Sequence, residues 1–524
     1  MTICENFISR HYSLVVGILF VVGFSIRIVG ITTFPAGLNQ DEASIGYETF
    51  SLLQSGADRN GDSMPVHFVS WGSGQNALYA YLSMPFVNFF GLNAFSVRIV
   101  NPIFSFLSVI LFFLIFLKLF NKELALSALA LLVIAPWSIM SARWGLESNI
   151  FPTIFLLGVY FLILGYKSKQ YFYLLSFSTF AISLYAYGTS YLVVPLFLLF
   201  IVPFLVVKKK INTQIFIFGL TLFAILGLPI ALFLIVNHFN LSEIHFWNFT
   251  IPKLDSNRTS VIFNLFGGNF FENILKNIFC FFRIFILQTD GNTYNSIPIF
   301  GTIYPLSFVF LIIGISKIIV NKSYKTDFHH YVFLVWLVCS VVLGITAHTN
   351  INRISIIFIP MIYFVILGIY ETFRAFHVSY KGLFKYIVGG YCILFFILFV
   401  GYYFTAFNTN IKKEFSYGLG EAIQYADKID TNKQINITTN TVNMPYIYVC
   451  FYTQMNPEFF RKNAVYSYDV QGFRNVEKLG RYSFKTDMNL KNTVHILSDE
   501  EMKYSGIKIE KCKKFGNYFV CDFK

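Results

Sequence analysis

The sequence predicts a mainly α protein: a bundle of membrane-spanning helices, about eleven by the length rule, with a small extracytoplasmic α/β domain at its C-terminal end. Three observations predict it. Of 524 residues, 56% are hydrophobic and 13% charged, with mean hydropathy +0.60, whereas soluble domains carry about 25% charged residues. Stretches of roughly 20 apolar residues recur along most of the chain. Lysine and arginine gather in every second connection, as membrane topology requires. That distribution also explains the net charge of +13 without a nucleic-acid partner.

The expected spans begin near Tyr12, Phe95, Leu124, Ile150, Phe172, Tyr191, Ile215, Ile303, Tyr331, Ile354 and Tyr386. The first lacks an early small-residue cleavage site and reads as a retained anchor. Even-numbered connections hold Lys118/Lys122, Lys167/Lys169, Lys208–Lys210, Lys317/Lys322/Lys325 and Arg374/Lys381/Lys385. Odd-numbered connections hold Asp41, Glu42, Asp58, Asp62, Glu147 and Asp290. The positive-inside rule then places the N-terminus in the cytoplasm and the acids on the outer face of the plasma membrane.

Residues 1–407 form the expected membrane domain, with long outer loops at 32–93 and 237–298. The first loop has a turn-rich stretch, Gly56 to Asp62, then a semi-apolar segment, Asn76 to Phe90, whose Pro85 and modest length suggest a helix lying in the interface. The second contains aromatic Phe263 to Phe285, an interfacial element or a lid. Residues 408–524 form the expected outer α/β domain. There Gly418 to Lys428 reads as helix, and Gln434 to Thr439, Tyr446 to Tyr452, Val494 to Leu497 and Tyr518 to Asp522 as strands. Seven Cys without a CxxC pair argue against a zinc site. Cys512 and Cys521 either bridge a hairpin or remain thiols.

Charge at the bilayer edge is costly and is commonly kept for function. Asp41-Glu42 stands just after the first span, and Asp41 reads either as a reacting carboxylate or as a helix N-cap. Glu42 is a metal ligand, an orienting partner of Asp41, or a first-turn acid favoured by the helix dipole. Glu147 opens the fourth span and faces Asp41 across a cavity or pairs with Arg143. Arg98, Arg143 and Arg353 sit near outer span ends, where guanidinium grips phosphate bidentately or snorkels. Arg353, flanked by His348 and Asn352, is the preferred phosphate ligand, and Arg98 the preferred partner of a loop acid. Trp71, Trp137 and Trp144 either stack on a sugar ring or, the preferred reading, form an interfacial belt. The sequons at Asn248 and Asn257 matter only in a cell that N-glycosylates.

Several ordered pieces carry a family resemblance: Asp41-Glu42-Ala43; Gly56 to Gly61 with Pro65; Gly91 to Arg98; Ala135-Pro136-Trp137-Ser138 with Ser141-Ala142-Arg143, then Glu147 and Asn149; Asp290-Gly291, Pro298 and Gly301; and Asn352-Arg353. Together, from the first span to about Gly368, they resemble the GT-C-fold membrane glycosyltransferases, in the branch that uses polyprenyl-phosphate sugars and includes protein O-mannosyltransferases and lipid A aminoarabinose transferases. The resemblance implies transfer of a sugar from a lipid-phosphate carrier to an envelope glycan, glycolipid or protein, with inversion. It implies Asp41 as base and raises a site role, in donor binding, for Asp290, which otherwise reads as a turn residue in Asp290-Gly291-Asn292. The residues' own chemistry adds Glu147 as catalytic companion (relatives typically have Asp there), Arg353, His348 and Arg143 as donor-binding residues, and Glu42 as a ligand for a divalent cation. The absence of a GxGxxG or P-loop cradle fits a lipid-linked rather than a nucleotide-linked donor. The competing readings are a transporter or flippase of a lipid-linked sugar and a non-catalytic scaffold. Acids gathered at one face count against transport.

Overall fold

The computed structural model describes all residues except 1–9, 73, 256–269, 322–323, 325–326, 430–431, 469–472, 487–491, 506, 508 and 523–524. The Asn257 sequon, Lys322, Lys325 and the first part of the Phe263–Phe285 segment lie outside the described residues. Each expected span start falls on an apolar helix or within four residues of one, Ile303 preceding Ser307–Val320 and Ile354 preceding the stretch that begins at Ser355. Seven described helices are long and apolar enough to cross a membrane, and Lys122–Ile134 with Pro136–Ala142 forms one further pair bent by 54°. Tyr12–Ile28, Phe172–Ser183 and Ser307–Val320 are shorter apolar helices.

Local chemistry sets the helix ends. Asn93, Asn121 and Asn212 accept from first-turn amides as N-caps, which satisfies donors that lipid cannot. Pro136 starts its helix after Ala135 leaves helical geometry, producing the bend. Ser307–Val320 and Phe358–Ala375 meet backbone to backbone: a Cβ at Gly314 would strike the Phe364 carbonyl, and one at Gly368 the Phe310 carbonyl. Such small-residue crossings replace the hydrophobic drive that lipid does not supply.

The first long loop is built. Gln40–Ser55 is a helix capped by Asn39 and ended by Gly56 in the left-handed region. β1 (His67–Phe68) pairs antiparallel with β2 (Gln75–Asn76), and Leu78–Phe90 follows as a helix with Pro85 inside. In the second loop, β3 (Ile244–Phe246) and β4 (Phe249–Ile251) form a hairpin whose Trp247 is 98% exposed. The described part of the aromatic segment is the helix Phe270–Phe282, which seats Phe281 against Gly344 and exposes Phe271 and Phe279.

Seven strands make the C-terminal sheet: β5 (Gln434–Ile437), β6 (Ala464–Tyr468), β7 (Arg474–Leu479), β8 (Tyr482–Ser483), β9 (Thr493–Ser498), β10 (Cys512–Phe515) and β11 (Tyr518–Asp522). Their order is β10-β11-β9-β5-β8-β7-β6, with β5 parallel to β8 and β9 and the other pairs antiparallel. Cys512 and Cys521 face each other across β10 and β11 and are bonded. One expectation is corrected: Tyr446 to Tyr452 is not a strand but lies in the helix Pro445–Tyr452. Pro445 is a favoured first helical residue. The whole run from Pro445 to Phe451 is buried, and a short, uniformly apolar run does not distinguish a buried helix from a strand. This helix packs on Gln40–Ser55, with the Phe451 ring against Gly46 and Tyr47 Oη donating to the Met455 carbonyl at 3.1 Å. The sheet domain therefore sits directly on the helix that carries Asp41.

Candidate active site

A cavity of about 390 Å³ opens where the connections after the first, third, fifth, seventh and ninth expected spans converge. Asp41, Glu147 and Arg353 all line it. The site is assembled from the N-terminus of Gln40–Ser55 outward. Asn39 Oδ1 accepts the Asp41 amide at 2.9 Å, and Glu42 Oε2 accepts the Asn39 amide at 2.9 Å, a closed capping box. Capping is thus the work of Asn39 and Glu42, and the partly exposed Asp41 side chain is turned to the cavity.

Glu42 corrects its expectation as a metal ligand. It is fully buried, and its oxygens meet Arg98 Nε at 2.6 Å, Arg98 Nη2 at 2.8 Å and the Gly145 amide at 2.7 Å, besides the Asn39 amide. A carboxylate so engaged has its acceptor capacity used within the protein. Its bond to Gly145 ties the helix bearing Asp41 to the turn bearing Glu147. Arg98, expected as the partner of a loop acid, is that partner, and it also donates to the carbonyls of Ile31, Pro35 and Gly37. Asn101 Nδ2 donates to the Trp144 carbonyl, and Ser355 Oγ to the Ser148 carbonyl at 3.2 Å. The Glu147 turn is held from both sides.

Arg143 corrects the expectation of a donor-binding arginine. It is fully buried and spends its three nitrogens on the carbonyls of Phe34, Ile26 and Val29 at 3.1, 2.7 and 2.8 Å. It fastens the chain leaving the first helix to the third span. Arg27 acts similarly deeper in the bundle, donating to Gly23, Leu132, Ser105 and Ser138. Asp290 is also a brace rather than a donor contact: it accepts from the Asn292 amide, from Asn295 Nδ2 and from the Ile351 amide at 2.9, 2.7 and 2.9 Å. The last bond holds the loop that presents Arg353. In that loop Arg353 Nη1 donates to the His348 carbonyl at 3.0 Å. The His348 imidazole is exposed outside the cavity wall. Surrounding protein, then the charge of Arg353 and more weakly of Lys276, holds its pKa below the ordinary histidine value.

Sequence reasoning missed four features. Lys276, on the exposed side of Phe270–Phe282, adds positive charge that His348 feels. His67, Asn76 and Tyr191 line the cavity, the first two from a stretch legible only as turn and interface. Trp71 belongs to the same wall instead of an interfacial belt, and Arg59 lies 4.9 Å over its ring. Arg59 also pairs with buried Glu48 at 3.1 Å, where burial raises the Glu48 pKa. Trp137 and Trp144 are buried too, packed on Phe358 and Phe415. Asp327, His329 and His330 bring ligand atoms within 4.8 Å of one another, but at the far end of Phe328–Thr346 from the Arg353 loop.

No known family model matches the chain, and no curated protein does. Solved structures do. ArnT from Cupriavidus metallidurans bound to undecaprenyl phosphate superposes with a TM-score of 0.54 at 11% identity, over 96% of this chain and 97% of that one. The Archaeoglobus fulgidus oligosaccharyltransferase tethered with an acceptor peptide gives 0.50 at 12% identity, over 85% of this chain and 63% of that one. At such identities the likeness establishes the fold. This chain has the architecture of these membrane transferases, as the resemblance in its motifs implied.

Proposed function

We propose that the protein is an integral membrane glycosyltransferase that moves a sugar from a polyprenyl-phosphate carrier to a cell-envelope acceptor at the outer membrane face, with inversion. One observation carries the reading: a single cavity gathers Asp41, Glu147 and Arg353 from three separate connections. Asp41 takes the proton of the acceptor hydroxyl as its oxygen bonds to the anomeric carbon. The bond from that carbon to the phosphate oxygen breaks, and the carrier leaves as its monophosphate. Arg353 holds that phosphate. Glu147 faces the oxocarbenium-like centre and orients the acceptor. Glu42 is not a metal ligand in this reading, because it is committed to Arg98 and to backbone amides.

The bound carrier in the ArnT structure supports the choice of donor. Lysines in the connections at the other end of the bundle, and the Cys512–Cys521 bond, support an outer-face cavity and an extracytoplasmic C-terminal domain. Proteoliposomes loaded with labelled polyprenyl-phosphate sugar test the proposal. Transfer of label to an envelope extract supports it, and movement of the intact lipid across the bilayer supports a flippase instead. A cysteine at position 41 is expected to react with an impermeant thiol reagent from outside the cell. Reaction only from the cytosol ends the proposal. Arg353→Ala is expected to weaken polyprenyl-phosphate binding about 10- to 100-fold, the worth of hydrogen bonds to a charged group, as read by titration in nanodiscs.

A further inference from the structure

The cavity wall has two chemistries. Asp41, Glu147 and Arg353 are charged; His67, Asn76 and Tyr191 are uncharged and polar. His67 is 6% exposed, and its ring stacks on Phe233 with centroids 4.3 Å apart and planes at 16°. Its Nδ1 lies 3.1 Å from the Phe68 carbonyl oxygen. A carbonyl only accepts, so Nδ1 carries the hydrogen and Nε2 carries the lone pair. Burial pushes the His67 pKa down to about 4, which keeps the imidazole neutral at pH 7. Gly74 preserves the ring's position: a Cβ there would overlap His67, and φ is +100°.

Asn76 and Tyr191 complete the set. Asn76 Nδ2 donates to Tyr191 Oη at 2.9 Å. The phenol oxygen is the acceptor of that bond, so its own proton is directed elsewhere. Asn76 keeps its amide oxygen as an acceptor. A lone-pair nitrogen, an amide oxygen and a phenol donor match groups that both give and accept hydrogen bonds, as sugar hydroxyls do. They do not match a phosphate, which calls for cations.

We infer that His67, with Asn76 and Tyr191, forms a hydroxyl-recognition subsite for the carrier's sugar, in which a sugar hydroxyl donates to His67 Nε2. The inference rests on the glycosyltransferase reading and adds the residues that read the sugar. His67 is a specificity residue in it, distinct from the charged groups that hold phosphate and proton.

The test compares undecaprenyl phosphate with undecaprenyl-phosphate glucose and mannose, titrated against the whole protein in nanodiscs. His67→Phe keeps a ring on Phe233 and removes the acceptor. It is expected to cost about tenfold in affinity for the better sugar lipid and nothing for undecaprenyl phosphate; His67→Gln, which restores an acceptor, recovers part of the loss. An equal loss for sugar-bearing and bare lipid, or no loss at all, overturns the subsite. A second measurement needs no variant: a deoxy-sugar series on the same carrier loses about tenfold at one ring position, and a flat series overturns the inference. Wild-type protein that binds undecaprenyl phosphate but gains nothing from the sugar overturns the subsite alone. Wild-type protein that binds no carrier overturns the glycosyltransferase reading with it.

Discussion

Asp41→Asn is expected to lower sugar transfer by about 10²- to 10⁴-fold, the usual contribution of a positioned general base, and to leave folding intact. The carboxamide keeps the size of the side chain but cannot take the acceptor's proton. Folding survives because Asp41 does not cap its helix: Asn39 accepts the backbone amide of residue 41, and Glu42 closes the box. Carrier binding survives because Arg353 is untouched. Transfer by the variant in proteoliposomes, beside its affinity for polyprenyl phosphate and its melting temperature, checks the expectation. A rate within tenfold of wild type, at equal folding, removes Asp41 from the chemistry and returns the scaffold reading.

Arg98→Met is expected to cost about 3–5 kcal/mol of stability, the penalty for leaving one partner of a buried ion pair alone. Both partners are fully buried, 2.6 Å apart, and the guanidinium also binds three loop carbonyls. Removing it leaves the Glu42 charge and those carbonyls without their donor. Activity should fall with stability, because Glu42 also holds the Gly145 amide and through it the Glu147 turn. Thermal unfolding in detergent reads the loss. A Glu42→Leu/Arg98→Met double variant should recover part of it, since an apolar pair carries no stranded charge. A single variant that melts within a degree or two of wild type would show that the pair does not organise the site.

The two expectations concern adjacent acids that the sequence presents as equals. Asp41 and Glu42 share a position beside the membrane, and only the fold separates them. Helix geometry turns neighbouring side chains by about 100°, so one faces the cavity and the other faces Arg98. The arginines divide in the same way. Arg98, Arg143 and Arg353 each lie near a span end, which is visible in hydropathy. Whether a guanidinium meets carbonyls, a carboxylate or a cavity depends on chain brought from elsewhere: Phe34 and Ile26 for Arg143, Glu42 for Arg98, open space for Arg353. Asp290 was visible as a turn residue, and a turn residue it is, with a further bond to Ile351 that sequence spacing does not reveal.

By itself the sequence determined the membrane bundle, the alternation of connections between its two ends, the acids at the cavity end and the presence of an α/β region after the last apolar helix. Those features rest on apolar length, charge placement and local turn chemistry, which act over neighbouring residues. Only the tertiary structure decided which charges are spent inside the protein and which line the cavity. It alone brought His67, Asn76 and Tyr191 into that wall, and it alone made Pro445–Tyr452 a helix. The physical reason is that a buried polar group must find its hydrogen-bond partner wherever the chain supplies one, and in this protein a partner can lie 408 positions away, as for Tyr47 and Met455.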